Sequence, residues 1–132
     1  MGDRTDMSER YDQAYGTEAR RRYGEALVNA ANDRLRAMSD GEWRDVVRLG
    51  LDIKSQLRKA MATGDPRSDE ARELARMHAR WLAAHWPEGM YTVNAHRELV
   101  NGYLRDRRFI DFYDGDCGEG ATEFLRDAVM SA

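Results

Sequence analysis

The sequence predicts an all-α fold: a single compact domain of about five to seven helices. Apolar residues recur at intervals of three and four along most of the chain, which is the period of one helical face. No stretch alternates strictly between apolar and polar residues, as a half-buried strand would. Helix-starting and helix-stopping signals separate the periodic stretches. A length of 132 residues suits one domain, and no second domain fits.

Two helices are predicted in the first half of the chain. The first runs from Thr17 to about Met38 on a narrow apolar stripe. Ser39, followed three residues later by Glu42, is the pattern of a capping box and opens the second helix. Gly50 lies in the middle of that helix and lowers its intrinsic propensity by up to about 1 kcal/mol. This glycine predicts that another helix or a ligand approaches the backbone closely.

The opening segment, residues 1–22, is poor in aliphatic side chains. There is no Leu, Ile or Val between Met7 and Leu27, so this segment can bury little apolar surface by itself. We expect it to be loosely held. Tyr11 and Tyr15 are spaced to share one helical face and are predicted to close over a ligand as a lid.

The third and fourth predicted helices are joined by a tight turn and carry all three histidines. Ser68 caps the third helix, which stops at Trp86 because Pro87 disfavours the helical conformation in the residue before it. The fourth helix begins at about Met90 and ends near Asp106. Helices joined in this way are expected to pack as antiparallel neighbours, so that their histidine-bearing faces meet. The inner face of the fourth helix is predicted to consist of Val93, His96, Val100, Tyr103 and Leu104.

Two short helices complete the predicted fold. Asp106 can cap a helix that carries Phe109 and Tyr113. The last helix starts at Ala121. Between these helices, residues 114–120 are rich in glycine and acidic side chains, which predicts a flexible loop without the ligand order of a calcium site.

Composition excludes several classes of function. The formal net charge is -3, and arginines alternate with acidic residues in every segment, so we expect no direct binding of nucleic acid by this chain. No apolar run is long enough to span a bilayer, and the N-terminus is not a signal peptide, which favours a cytoplasmic location and no membrane partner. The single cysteine, Cys117, excludes an internal disulfide and a multi-cysteine metal site.

A set of motifs, taken in order and spacing, resembles the TipAS antibiotic-recognition family from roughly Tyr11 to the C-terminus. The motifs are Trp43 on a capped helix, His78-Ala79-Arg80-Trp81, His96 seven residues before Tyr103, Asp106-Arg107-Arg108-Phe109, and Phe124-Leu125-Arg126-Asp127-Ala128-Val129.

The resemblance implies a globin-like helical ligand-binding domain over residues 23–132. Members of the family bind bulky apolar antibiotics in a cleft lined by aromatic residues, and their N-terminal part tends to order only when ligand binds. They often follow a MerR-type DNA-binding region, or stand alone. Since no helix-turn-helix precedes Tyr11 here, the chain is expected to be either a stand-alone binder or an effector domain of a longer regulator, with a homodimer as a further expectation.

The resemblance implies noncovalent binding. A thiopeptide-binding member captures its ligand covalently through cysteines at positions that fall here on Tyr91 and Glu98, and neither is cysteine. The acidic surroundings of Cys117 disfavour a reactive thiolate. We expect no cofactor and no metal, and no nucleophile stands beside a base, so an enzyme is not predicted.

The predicted ligand site combines aromatic and imidazole side chains. Aromatic walls suit large planar or heteroaromatic compounds. The predicted ligand-binding residues are Trp43, His78, Trp81, His85, Tyr91, His96, Tyr103 and Phe109 as walls, with Tyr11 and Tyr15 as the lid.

Other interpretations of the same residues remain open. Each aromatic residue taken singly is more often part of a core than of a site. The histidines are more often hydrogen-bonded core or pocket residues than metal ligands. A helical protein-interaction module with a closed core is the main alternative to a small-molecule receptor, and a metal-dependent enzyme is a third.

Overall fold

The structure is a computed structural model of the 132-residue chain, and it describes residues 25–86 and 89–132, without the side chains of residues 25–28, 30 and 31. In these ranges it contains six α-helices and no strand, which confirms the predicted fold class. The helices are α1 (Glu25–Ala37), α2 (Asp40–Met61), α3 (Asp69–His85), α4 (Val93–Tyr103), α5 (Arg107–Cys117) and α6 (Ala121–Ser131).

Side-chain caps start the two longest helices where the sequence predicts. The Ser39 hydroxyl accepts from the backbone N–H of Glu42 at 3.1 Å, and the Glu42 carboxylate accepts from the backbone N–H of Ser39 at 3.2 Å. This reciprocal pair is a capping box and opens α2. Ser68 caps α3 in the same way by accepting from Ala71 N–H. Both helix starts are therefore fixed by local sequence.

The hydrophobic core lies where α6 meets the rest of the domain. α6 packs against α2, α3, α4 and α5, while α2 and α3 form the most extensive helix pair. The largest fully buried apolar side chains come from four of these helices: Leu57, Leu74, Val100 and Leu125. α1 packs on α3 at the edge of this core.

The fourth helix starts three residues later than predicted. The Thr92 side chain accepts from Ala95 N–H at 3.0 Å and so caps a helix that begins at Val93 instead of Met90. His96, Val100 and Tyr103 are buried as predicted, but Val93 is 58% exposed. The prediction failed for Val93 because it is the first residue of the helix, at the outer end of the turn.

The predicted loop at residues 114–120 is wrong for its first half. α5 continues to Cys117, and only residues 118–120 leave the helix. The carboxylate of Asp114 accepts from Gly120 N–H at 3.1 Å and from the backbone N–H and hydroxyl of Thr122, each at 2.8 Å. These bonds tie the end of α5 to the start of α6. Gly118 and Gly120 take positive φ angles of 106° and 88°, which glycine adopts without strain.

The expected close packing of α3 against α4 is also wrong. The two helices are not among the principal helix pairs: α3 packs most extensively against α2, and both α3 and α4 pack against α6. They meet through the side chains of His78 and His96.

Predictions for residues 1–22 lie outside the described part of the chain. No helix of the described part is long and apolar enough to cross a membrane.

Candidate functional site

The candidate site is built from the C-terminal half of α3, the start of α4 and the turn between them. His78, Trp81 and His85 follow one another at helical spacing on α3, and His96 lies in the second turn of α4. The Thr92 cap sets the phase of α4, so that His96 points inward towards His78. The predicted meeting of the two histidine-bearing faces is confirmed.

A buried pair of imidazoles forms the centre of the site. Nδ1 of His78 lies 2.7 Å from Nε2 of His96, and the ring centroids are 4.9 Å apart with planes 25° from parallel. His78 is completely buried and His96 is 3% exposed. Burial lowers the pKa of His78 to about 3, with a smaller effect of His96, and burial lowers the pKa of His96 to about 4. Both imidazoles are therefore neutral at physiological pH.

The hydroxyl of Tyr91 extends this pair into a chain of three hydrogen-bonding groups. It lies 3.0 Å from Nδ1 of His96, the nitrogen that does not face His78. Burial raises the pKa of Tyr91, so its phenol stays protonated. Because a neutral imidazole has one N–H and one acceptor nitrogen, the direction of one hydrogen bond in this chain sets the direction of the other.

The far end of this series of hydrogen bonds is Nε2 of His78, which has no partner among the described residues. Nε2 of His78 is buried, and no donor or acceptor of the described residues lies within hydrogen-bonding distance of it. A buried polar atom without a partner is uncommon in proteins and calls for a physical explanation.

Aromatic rings continue the contact in both directions from the imidazole pair. On one side the rings of His78 and Trp81 have centroids 6.3 Å apart, and those of Trp81 and His85 are 4.0 Å apart. On the other side His78 meets Tyr103 edge to face at 6.0 Å, and Tyr103 stacks on Phe109 at 4.3 Å. We define the ring cluster as His78, Trp81, His85, Trp86, Tyr91, His96, Tyr103, Phe109 and Tyr113.

The ring cluster includes two residues that were not among the predicted ligand-binding residues. Trp86 joins it through Tyr91 at 6.1 Å, and Tyr113 joins through Tyr103 at 5.8 Å. The helical spacing of Tyr113 from Phe109, which was visible in the sequence, is the signal that could have found it. Trp86 follows the end of α3, where no periodicity applies.

Trp43 is not part of the ring cluster in the described part of the structure. It is half-buried on α2, and among the described residues it makes no ring contact with the cluster. Tyr11 and Tyr15 lie outside the described residues. The remaining predicted ligand-binding residues all belong to the cluster.

Gly50 explains how α2 fits beside the cluster. A Cβ atom at this position would lie 3.3 Å from Nε1 of Trp81, closer than most real contacts of this kind. The predicted close approach at Gly50 is therefore confirmed, and the approaching group is the indole of α3. The absence of a side chain at Gly50 gives Trp81 its place next to His78.

A second contact fixes the turn after α3. The guanidinium of Arg34 on α1 donates to the backbone carbonyl of Trp86. Nδ1 of His85 lies 2.7 Å from the carbonyl oxygen of Trp81. Burial is the main cause that lowers the pKa of His85, and Arg34 adds a smaller lowering effect. The hydrogen bond from Arg34 therefore connects α1 to Trp86, which is itself a member of the ring cluster.

The described residues hold no group of three or more side chains arranged to bind a metal ion. Cys117 is half-buried at the end of α5, where burial first, and then Asp116 and Asp114, raise the pKa of its thiol. A thiol with a raised pKa is a weak nucleophile. The chemistry that the ring cluster supports is stacking on aromatic faces together with neutral hydrogen bonds.

The cluster is tightly closed at its centre, because the two imidazoles touch directly. A depression that is open to solvent lies elsewhere, between residues 65–67 and the end of α6. Since His78 is completely buried, a compound can reach it only if neighbouring side chains move.

Comparison with known proteins places this arrangement in a family. The chain is similar to the HTH-type transcriptional activator mta of Bacillus subtilis (strain 168), with 29% identity over 124 residues that cover 92% of this chain and 46% of the relative. The chain thus spans a little under half the length of that relative. No solved structure gives a significant match. The family model of the TipAS antibiotic-recognition domain matches residues 15–131, nearly the whole chain, including all of the ring cluster. The chain belongs to the TipAS antibiotic-recognition domain family.

Proposed function

We propose that this chain is a ligand-recognition domain that binds bulky, uncharged, ring-rich compounds of the antibiotic type noncovalently at the ring cluster. The observation that carries the proposal is the unbroken row of ring contacts from Trp86 through Tyr91, His96 and His78 to Tyr103. Two rings of this row, Trp86 and Tyr91, are half-buried and present aromatic surface to a ligand. Each stacked pair contributes about 0.5 to 1.5 kcal/mol beyond burial.

The charge state of the site supports an uncharged ligand. The imidazoles of His78 and His96 are neutral because burial lowers the pKa of each. An ionic ligand would have to give up its hydration without gaining an opposite charge from these two rings. An uncharged aromatic compound avoids that penalty.

Two further roles belong to the same proposal. Residues 1–22, with Tyr11 and Tyr15, close over the bound compound as a lid. Binding serves either to sequester the compound or, in a longer regulator, to signal to a DNA-binding region. The similarity to a transcriptional activator roughly twice as long supports the second use.

A thermal-shift screen against uncharged aromatic natural-product antibiotics tests the proposal. A compound at 100 times its dissociation constant adds about 2.7 kcal/mol to the free energy of unfolding. Trp86→Ala is expected to weaken binding at least tenfold. Trp43→Ala is the matched control, because Trp43 is also half-buried but lies outside the ring cluster. Equal losses for both variants, or no stabilising compound in the screen, would refute the proposal.

The lid needs its own measurement. Hydrogen exchange in residues 1–22 is expected to slow when a stabilising compound is bound. Unchanged exchange at saturation would remove the lid while leaving ligand binding intact.

One observation favours a second candidate, a helical protein-interaction module. His78 and His96 are in direct contact, as expected of a closed core. Val47 and Leu51 on α2 and Phe112 on α5 are exposed apolar side chains. Under this alternative, Leu51→Glu weakens self-association measured by sedimentation, whereas Trp86→Ala does not. A monomer at all concentrations, together with a stabilising compound, rejects this candidate.

A further inference from the structure

The unexplained group of the ring cluster is Nε2 of His78. The ring is completely buried, and this nitrogen has no hydrogen-bond partner among the described residues. Desolvating a polar atom without replacing its hydrogen bond to water opposes folding. A buried nitrogen in that situation points to a partner other than the described residues of this chain.

The hydrogen-bond chain decides whether this atom is a donor or an acceptor. A phenol donates a hydrogen bond more strongly than it accepts one, and with the Tyr91 hydroxyl as the donor, Nδ1 of His96 is the acceptor. The proton of His96 then lies on Nε2 and is donated to Nδ1 of His78. Because the neutral His78 ring has only one N–H, its proton lies on Nε2. The buried end of the chain is therefore an N–H group.

We propose that the Nε2–H of His78 is the polar anchor of the ligand site, and that it donates a hydrogen bond to a neutral acceptor of the bound compound, either a carbonyl oxygen or a heteroaromatic nitrogen. This inference rests on the proposed function and adds to it the kind of polar group that the site selects. A ligand without such an acceptor leaves the N–H unpaired, whereas a ligand with one completes the chain that starts at Tyr91.

The structure also indicates the route to this atom. Of the rings that contact His78, His96 and Tyr103 are buried, whereas Trp81 is half-buried. Trp81 lies at 18° to the plane of His78, and its indole nitrogen faces α2 at Gly50. Trp81 is therefore the one of these three ring neighbours that reaches solvent, and movement of its side chain would uncover the His78 ring.

Nuclear magnetic resonance of the histidine side chains tests the anchor directly. The chain contains three histidines, so a protein labelled with ¹⁵N-histidine gives few, assignable ring signals. Pyridine and benzene serve as probes at pH 7.5, because they share size and shape but only pyridine has an acceptor nitrogen. The Nε2–H proton of His78 is expected to move downfield with pyridine and not with benzene.

Affinity measurements on variants supply a second readout. The preference for pyridine over benzene is expected to fall on the order of tenfold in His78→Phe, which keeps a ring but removes the donor. Thr122→Val is the matched control and is expected to keep the preference, because Thr122 is a buried polar residue whose hydroxyl bonds to Asp114, outside the ring cluster. If His78→Phe fails to fold, the titration of the unaltered protein decides alone.

Three results would overturn the anchor: a His78 proton on Nδ1, an Nε2–H signal that pyridine does not move at any attainable concentration, or an exchange peak that shows an internal water as its only acceptor. If bulky aromatic compounds bind with the expected sensitivity to Trp86→Ala while His78 stays unaffected, the anchor fails and the proposed function stands. If no aromatic compound binds at all, both fail.

Discussion

Mild acid is expected to destabilise this domain through its buried imidazole pair. Burial lowers the pKa of His78 to about 3 and that of His96 to about 4, whereas both have a pKa near 6.5 in an unfolded chain. Between these values the unfolded chain binds more protons than the folded one. The free energy of unfolding therefore falls as the pH falls below about 6.5, and the contribution of the pair is fully present only above that pH.

The size of the effect follows from the same pKa values. Lowering the pH from 7 to 5 protonates an exposed imidazole but not one that stays neutral in the fold, and this difference is about 2 kcal/mol for each ring. The two rings together give about 4 kcal/mol as an upper limit. A typical domain has about 5 to 15 kcal/mol of total stability, so this loss should be easy to measure.

Urea unfolding at pH 7, 6 and 5 measures the loss, and His78→Phe/His96→Phe is the comparison protein. The double substitution replaces two imidazoles, whose centroids lie 4.9 Å apart, with two aromatic rings. It therefore leaves neither imidazole without its partner. His85, whose pKa is also lowered, is present in both proteins and cancels from the comparison. The window stays above the ordinary pKa values of Asp and Glu. Equal pH dependence in the two proteins would refute the reasoning.

Three substitutions test separate features of the fold. Ser39→Ala removes the capping box of α2 and is expected to lower the free energy of unfolding by about 1 kcal/mol. Gly50→Val forces side-chain atoms against the Trp81 indole and is expected to cost about 1 to 3 kcal/mol and to alter tryptophan fluorescence. Asp114→Ala removes the acceptor for Thr122 and is expected to cost on the order of 1 kcal/mol, with faster hydrogen exchange at the start of α6.

Each of these substitutions has a matched control in the same chain. Ser55→Ala changes an exposed serine inside α2 and is expected to be nearly neutral. A Cβ at Gly115 would meet nothing within 4 Å, so Gly115→Val is expected to cost less than Gly50→Val. Asp111→Ala removes only an exposed ion pair. A control that loses as much stability as its partner would contradict the corresponding contact.

Local signals in the sequence predicted the helix boundaries that local chemistry sets. Ser39 and Ser68 cap their helices as expected, and α3 ends at His85, with Trp86 as its cap residue. Gly50 even predicted a tertiary contact, because a glycine in a helix interior is unfavourable without a close neighbour. These features depend on a few adjacent residues or on one residue type.

Contacts between distant residues were the part that the sequence could not predict. Asp114 caps α6 from the neighbouring helix, so glycine-rich residues that looked like a loop became helical. The packing of both α3 and α4 on α6 joins segments that lie far apart in the sequence. Neither follows from the spacing of residues within one segment.

The candidate site shows the same division. The facing of His78 and His96 was predictable, since each helix has one apolar stripe. The exclusion of Trp43 from the ring cluster was not, because an aromatic residue on an inner face can turn either way along its helix. The unpaired nitrogen of His78 could not be predicted either, because the sequence does not show which of the two ring nitrogens contacts His96.

The position of α6 has a consequence for synthesis on the ribosome. Four earlier helices use it as their packing partner, yet it is the last helix to leave the exit tunnel. Until residue 129 emerges, the parts of those helices that pack on α6 have no cover in the nascent chain. Folding of this domain is therefore expected to be completed only after α6 has emerged from the ribosome.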